Sequence, residues 1–134
     1  MKKANLFFLI TMIVIGCVLS GCAGNDNAEI VKESSKLREI NLTLYNGKSV
    51  NVTESKKVED IVKVINSAES TKEESVQDVP DAKQYGKIIL VSKEDERTLY
   101  YYEREGKYYI EEPYAGIYQC EQDLNSYFKS IADL

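Results

Sequence analysis

The sequence predicts an α+β domain, an antiparallel sheet of about five strands with two helices packed on it, in the order β-β-α-β-β-β-α. Three observations carry this prediction. An alternating run ends in an Asn-Gly pair and is followed by a second alternating run. A tyrosine-rich stretch is folded back on itself at Glu105-Gly106. Two further segments repeat apolar residues at helical spacing.

From Leu37 to Leu44 the apolar residues Ile40, Leu42 and Leu44 fall on one face of a half-buried strand. Tyr45-Asn46-Gly47-Lys48 follows, and Asn-Gly is the strongest two-residue hairpin signal. Ser49 to Val52 then pairs back, with Val50 and Val52 on one face. Val58, Ile61, Val62, Ile65 and Ala68 form one stripe of an amphipathic helix from about Lys56 to Ser67, with Ser55 as its expected N-cap. Lys56, Lys57, Glu59, Asp60 and Lys63 make its solvated face.

Glu69 to Gly86 is a long acidic connection containing Pro80. Connections of this length are uncommon and are often functional or mobile. Val79, Ala82 and Tyr85 are its candidate attachments to the core. The continuous apolar run Lys87 to Ser92 predicts a central strand buried on both faces. Lys93 to Arg97 is a charged turn, Thr98 to Arg104 the next strand, and Lys107 to Glu111 its return strand. The chain from Glu112 to Tyr118 is expected to leave the sheet. Leu124, Tyr127, Phe128 and Ile131, with Leu134 beyond, mark the final helix.

The N-terminus carries a different kind of signal. Met1-Lys2-Lys3 is basic, and Leu6 to Leu19 is nearly all apolar. That run is shorter than the roughly 20 residues of a membrane-spanning helix but suits a signal-peptide core. Leu19-Ser20-Gly21-Cys22 closes it and resembles the bacterial lipoprotein signal, which implies cleavage before Cys22 and a diacylglyceryl group on its sulfur. Two acyl chains suffice for stable anchoring. Val14-Ile15-Gly16-Cys17 fits less well and would shorten the apolar core. The expected organisation is a signal peptide over 1–21, a lipidated flexible tether over 22–36 and one globular domain over 37–134. The expected location is the outer face of the cell membrane.

Composition limits the function classes. The 134 residues hold 17 basic and 22 acidic side chains. The leader contains two of the lysines, so the mature chain has 15 basic residues against 22 acids, a net charge of −7. Such a chain does not suit nucleic acid, whose binding rests on neutralising phosphates. Anionic headgroups would repel it, leaving the acyl chains to hold it at the membrane. With Cys17 removed and Cys22 lipidated, Cys120 is the remaining thiol, and no disulfide within the chain is possible. Histidine is absent, which removes the commonest general base and metal ligand.

Catalytic patterns fail on inspection. Asn46-Gly47-Lys48-Ser49 ends like a phosphate loop but lacks the first glycine. Ser126 and Lys129 have the Ser-x-x-Lys spacing of penicillin-binding enzymes without its partner motifs. Glu73, Glu74, Asp78 and Asp81 match no calcium loop. Glu111 and Glu112 are adjacent in a strand and point to opposite faces. Cys120 has no histidine to activate it and reads as a buried thiol. No metal and no cofactor are expected.

The most distinctive stretch is the tyrosine hairpin. A turn at Glu105-Gly106 pairs Arg104 with Lys107, Glu103 with Tyr108, Tyr102 with Tyr109 and Tyr101 with Ile110. Leu99, Tyr101, Tyr108 and Ile110 then face the core. Tyr100, Tyr102 and Tyr109 share the opposite face with Arg104, Lys107 and Glu111. Two readings stand side by side there. Aromatic cross-strand pairs stabilise a sheet, and the last helix could cover them. Exposed, the same rings make a binding surface. Tyr114 and Tyr118, in the loop after Pro113, extend that candidate surface.

Lys107-Tyr108-Tyr109-Ile110-Glu111 followed by Pro113-Tyr114-x-Gly116-Ile117-Tyr118 resembles small Gram-positive lipoproteins that carry a domain of unknown function, family 5301. The resemblance runs from about Ile40 to Ile131 and implies no activity or site residues. The expected function is that of a membrane-anchored, non-enzymatic protein that binds or modulates a membrane or envelope partner. The alternative is a small-ligand or peptide carrier serving a membrane complex.

Overall fold

Seven antiparallel strands form one sheet in the computed structural model, which describes residues 29–132. The expected signal peptide, Cys17, Cys22 and the first part of the tether lie outside the described residues, as does Leu134. The strands are β1 (Leu37–Thr43), β2 (Ser49–Val52), β3 (Glu69–Ser70), β4 (Tyr85–Ser92), β5 (Glu96–Arg104), β6 (Lys107–Glu112) and β7 (Gly116–Cys120). Their spatial order is β2-β1-β4-β5-β6-β7-β3. Helices α1 (Ser55–Asn66) and α2 (Leu124–Ile131) pack on one face, and a short 3-10 turn (Ser34–Lys36) precedes β1.

The fold is α+β, with two strands more than expected. β3 is two residues long and has no period to read. β7 arises because residues 113–115 reverse the chain instead of leading it away. Gly116–Cys120 then pairs along β6, Ile110 opposite Tyr118 and Tyr108 opposite Cys120. α1 carries the chain from β2 at one edge to β3 at the other.

The helix-bearing face holds the main core. It combines Ile40, Leu42, Val52, Ile88, Leu90, Leu99, Tyr101 and Ile110 from the strands with Ile61, Ile65, Leu124 and Phe128 from the helices. β4 is not buried on both faces as its sequence suggested. Ile88 and Leu90 enter this core, while Ile89 and Val91 lie half-exposed on the other side. An antiparallel sheet needs only one covered face, so a continuous apolar run can still alternate in burial.

Local chemistry sets the ends of the elements. α1 begins at Ser55 itself, and Glu54 occupies the cap position without a side-chain cap bond. Asp123 caps α2 by accepting the Asn125 and Ser126 N–H groups. Glu105 and Gly106 both have positive φ, +55° and +76°, the mirror-image turn that matches the strand twist. At the first hairpin Gly47 has φ +80° and its N–H donates to the Leu44 carbonyl at 2.9 Å. The loop there is longer than the two residues expected, with Thr43 opposite Ser49.

The domain starts earlier than residue 37. Ile30 and Val31, assigned to the flexible tether from composition, are buried in the main core. The Asn66 side chain accepts the Val31 N–H at 2.8 Å and donates to its carbonyl at 3.1 Å. Arg97 donates to the Ile30 carbonyl at 3.0 Å. Two apolar residues suffice once side chains meet their backbone groups.

Gly86 sits opposite Tyr101, and a Cβ there would come within 2.0 Å of the Tyr101 ring. We expect Gly86→Ala to destabilise the domain by about 1–3 kcal/mol through overpacking. Urea denaturation checks this, and an unchanged midpoint would refute the close packing.

Candidate functional site

Pairing of β5 with β6 follows the register read from the sequence: Arg104 with Lys107, Glu103 with Tyr108, Tyr102 with Tyr109, Tyr101 with Ile110. Tyr100, Tyr102 and Tyr109 therefore share the face opposite the helices, with Glu111 and, from β7, Ile117. They are not an exposed surface. All three rings are buried, and neither helix is what covers them. Residues 71–84, a strap without regular structure, run from β3 at the sheet edge to the start of β4. Ala82 packs with Tyr102, Tyr109 and Ile117 in a second, small core.

Backbone and side-chain bonds fasten the strap. Thr71 N–H donates to the Ile117 carbonyl at 3.0 Å, and Ile117 N–H donates to the Glu73 carbonyl at 3.1 Å. These two bonds continue the β3–β7 pairing beyond Ser70. Ser75 is buried, and its hydroxyl donates to Glu111 at 2.6 Å. Glu111 is 2 % exposed, a carboxylate enclosed between sheet and strap. Farther along, the Tyr114 hydroxyl donates to Asp78 at 2.7 Å, and Arg104 meets Glu73 at 3.4 Å.

The tyrosines pack in pairs beneath. Tyr102 and Tyr109 stack with centroids 5.6 Å apart, and Tyr85 meets Tyr100 edge-on at 5.5 Å. Arg104 lies 4.7 Å over the Tyr109 ring and Lys87 lies 5.8 Å over Tyr100. Burial, then the Glu111 carboxylate, raises the Tyr102 pKa. Burial, then Tyr85 and Asp78, raises that of Tyr100. These phenols stay neutral hydrogen-bonding groups and have no nucleophilic form near neutral pH.

The other candidates disperse. Tyr118 lies on the helix-bearing face, half-buried against the main core, opposite in sense to Tyr109. Tyr114 tips the turn after β6 with φ +59° and is 68 % exposed. Cys120 is buried, and desolvation pushes its thiol up to about 12. Among the described residues no group of three or more Cys, Asp or Glu side chains converges as a metal site. Nor is any described helix long and apolar enough to cross a membrane.

What the sequence missed is the outer surface of the strap. Four large apolar side chains of the described residues stand exposed: Val76 (78 %), Tyr114 (68 %), Val79 (46 %) and Tyr85 (40 %). All lie on the strap or directly beside it. The signal was available in Val76 and Val79, two valines set in an acidic stretch. Only Ala82, of the three expected attachments, packs in the small core. A groove of about 410 Å³ borders Tyr109, lined by Glu69, Thr71, Glu73, Lys107, Gln119 and Glu121. It is polar rather than an apolar ligand pocket.

These features define a small α+β domain with helices on one face and a strap on the other. The chain belongs to the family DUF5301, a domain of unknown function, whose pattern matches residues 25–119. It is similar to a protein from Ruminococcus gnavus solved by NMR, at 33% identity and a TM-score of 0.64. That match covers 70% of this chain and 92% of the other. No curated protein matches.

Two outcomes follow from the geometry. Tyr102→Ala should cost about 3–5 kcal/mol, as for other buried aromatic truncations; a near-native denaturation midpoint would mean that the strap does not cover the ring. Cys120 should resist a thiol reagent at pH 8 in the native state and react fully in urea, because its raised pKa keeps it protonated and burial excludes the reagent. Rapid native labelling would contradict its burial.

Proposed function

We propose that this protein is a lipid-anchored, extracytoplasmic binding protein without enzymatic activity, held through Cys22 and working by contact with a membrane or envelope partner. The observation that carries the contact surface is the exposure of Val76, Val79, Tyr85 and Tyr114 together on the strap side. Exposed apolar residues gathered on one side mark interaction sites, whereas scattered ones carry no meaning. A fixed aromatic such as Tyr114, tied to Asp78, presents apolar area at small entropic cost. The polar lining of the groove beside Tyr109 favours a partner surface over a carrier of apolar ligands.

The anchor reading rests on Leu19-Ser20-Gly21-Cys22 after an apolar run. Because Ile30 already belongs to the core, the leash between Cys22 and the domain is shorter than the sequence suggested. Eight residue steps reach at most about 29 Å. Mass spectrometry of the mature protein from membranes should find residues 1–21 absent and a diacylglyceryl group on Cys22. An uncut or unmodified Cys22 would overturn the anchoring.

A further inference from the structure

We infer that the outer face of the strap docks a cationic extracytoplasmic segment of a membrane protein, at the end of the sheet nearest the lipid anchor. The inference rests on the anchored reading above. Three observations specify the occupant.

The first is position. Arg97 donates to the Ile30 carbonyl at 3.0 Å and to the two Glu112 carboxylate oxygens at 2.8 and 2.9 Å. Glu112 ends β6, and Tyr114 stands two residues later in the turn. The entry of the N-terminal segment and the exposed Tyr114 therefore share one end of the sheet. Asp78, bonded to Tyr114, brings the middle of the strap to the same end. A leash of eight residue steps keeps this end near the membrane.

The second is charge. The strap carries four acids and two lysines, and both lysines, Lys72 and Lys83, lie near its ends, so the span from Glu73 to Ala82 holds no base. Arg104 offsets Glu73, but among the described residues Glu74, Asp78 and Asp81 enter no ion pair. Anionic headgroups repel such a surface, so the bilayer itself is a poor occupant. A Lys- or Arg-bearing polypeptide complements it.

The third is that the surface is preformed. Glu73 on Ile117 and Ser75 on Glu111 fix the strap before Val76, and Ala82 in the small core holds it after Val79. Val76 and Tyr114 then supply exposed apolar area on a strap that also carries Glu74, Asp78 and Asp81, apolar anchors among polar groups of the kind a short segment can engage.

The test uses the full-length protein in its own cell membrane. A photo-crosslinking amino acid is placed at position 76 or 114, with position 57 on the solvated side of α1 as control. The expected result is crosslinking from 76 and 114, not from 57, to an outer-face segment of a membrane protein with net positive charge. Glu74→Gln with Asp81→Asn should lower the yield by about tenfold without changing the thermal melting curve. Crosslinks to lipid, crosslinks to a neutral or acidic segment, no crosslinks, or an unchanged yield in the double variant would each overturn the proposal. The mass of the mature N-terminus is measured on the same sample. An unprocessed Cys22 refutes the anchored reading, whereas a processed Cys22 with lipid crosslinks refutes the partner alone.

Discussion

The position of Tyr101 is the constraint on which the rest of the structure depends. Its ring occupies space that only Gly86, across the β4–β5 pair, leaves open. It stacks on Tyr45 at 5.3 Å and meets Phe128 edge-on at 5.1 Å. Its hydroxyl lies 3.2 Å from the Thr43 carbonyl oxygen and 3.4 Å from Asn125 Oδ1, with one proton between two acceptors. The same Asn125 oxygen accepts the Tyr45 N–H at 3.1 Å. One phenol thus joins β4, β5, the first hairpin and α2. Burial, chiefly, raises its pKa, so the hydroxyl remains a donor. Leaving such buried groups unpaired would cost about 1–3 kcal/mol each.

The two faces of the sheet are covered by different means. On one side two amphipathic helices bury a continuous apolar core. On the other a strap of polar and acidic residues covers a patch of tyrosines, with little apolar area of its own. Hydrogen bonds, foremost Ser75 to Glu111, supply what apolar burial does not. Glu111 is tolerated because Ser75 satisfies it and Tyr102 lies against it. A covering of this kind buries its inner residues and leaves Val76 and Val79 outside. The tyrosine face is consequently hidden, and the exposed apolar side chains lie on the strap or beside it.

Hairpin register was legible from single residues. Glu105-Gly106 dictates a two-residue turn, and the turn dictates that Tyr102 faces Tyr109. Helical stripes were equally plain, since a 3.6-residue period survives in α1 and α2. β3 and β7 were not legible, because two residues carry no period and Gly116 beside Pro113 reads as a loop. Ile30 and Val31 were lost in a polar average, although Asn66 and Arg97 wait to receive them. The exposure of the tyrosine face could not be read at all. It depended on where an irregular 14-residue connection lies.

What the sequence alone determined is what local chemistry controls: the alternation of the strands, the turn at Glu105-Gly106 and the helical stripes. These arise between residues a few positions apart, where spacing fixes geometry. Only the tertiary structure decided what covers each face of the hairpin, because alternation assigns Leu99, Tyr101, Tyr108 and Ile110 to the core without saying what packs on the rings opposite. That choice was made by contacts far apart in the chain, Ser75 with Glu111 and Tyr101 with Asn125. Such contacts leave no pattern in either partner's neighbourhood, since the energy that selects them exists only once the sheet has brought them together.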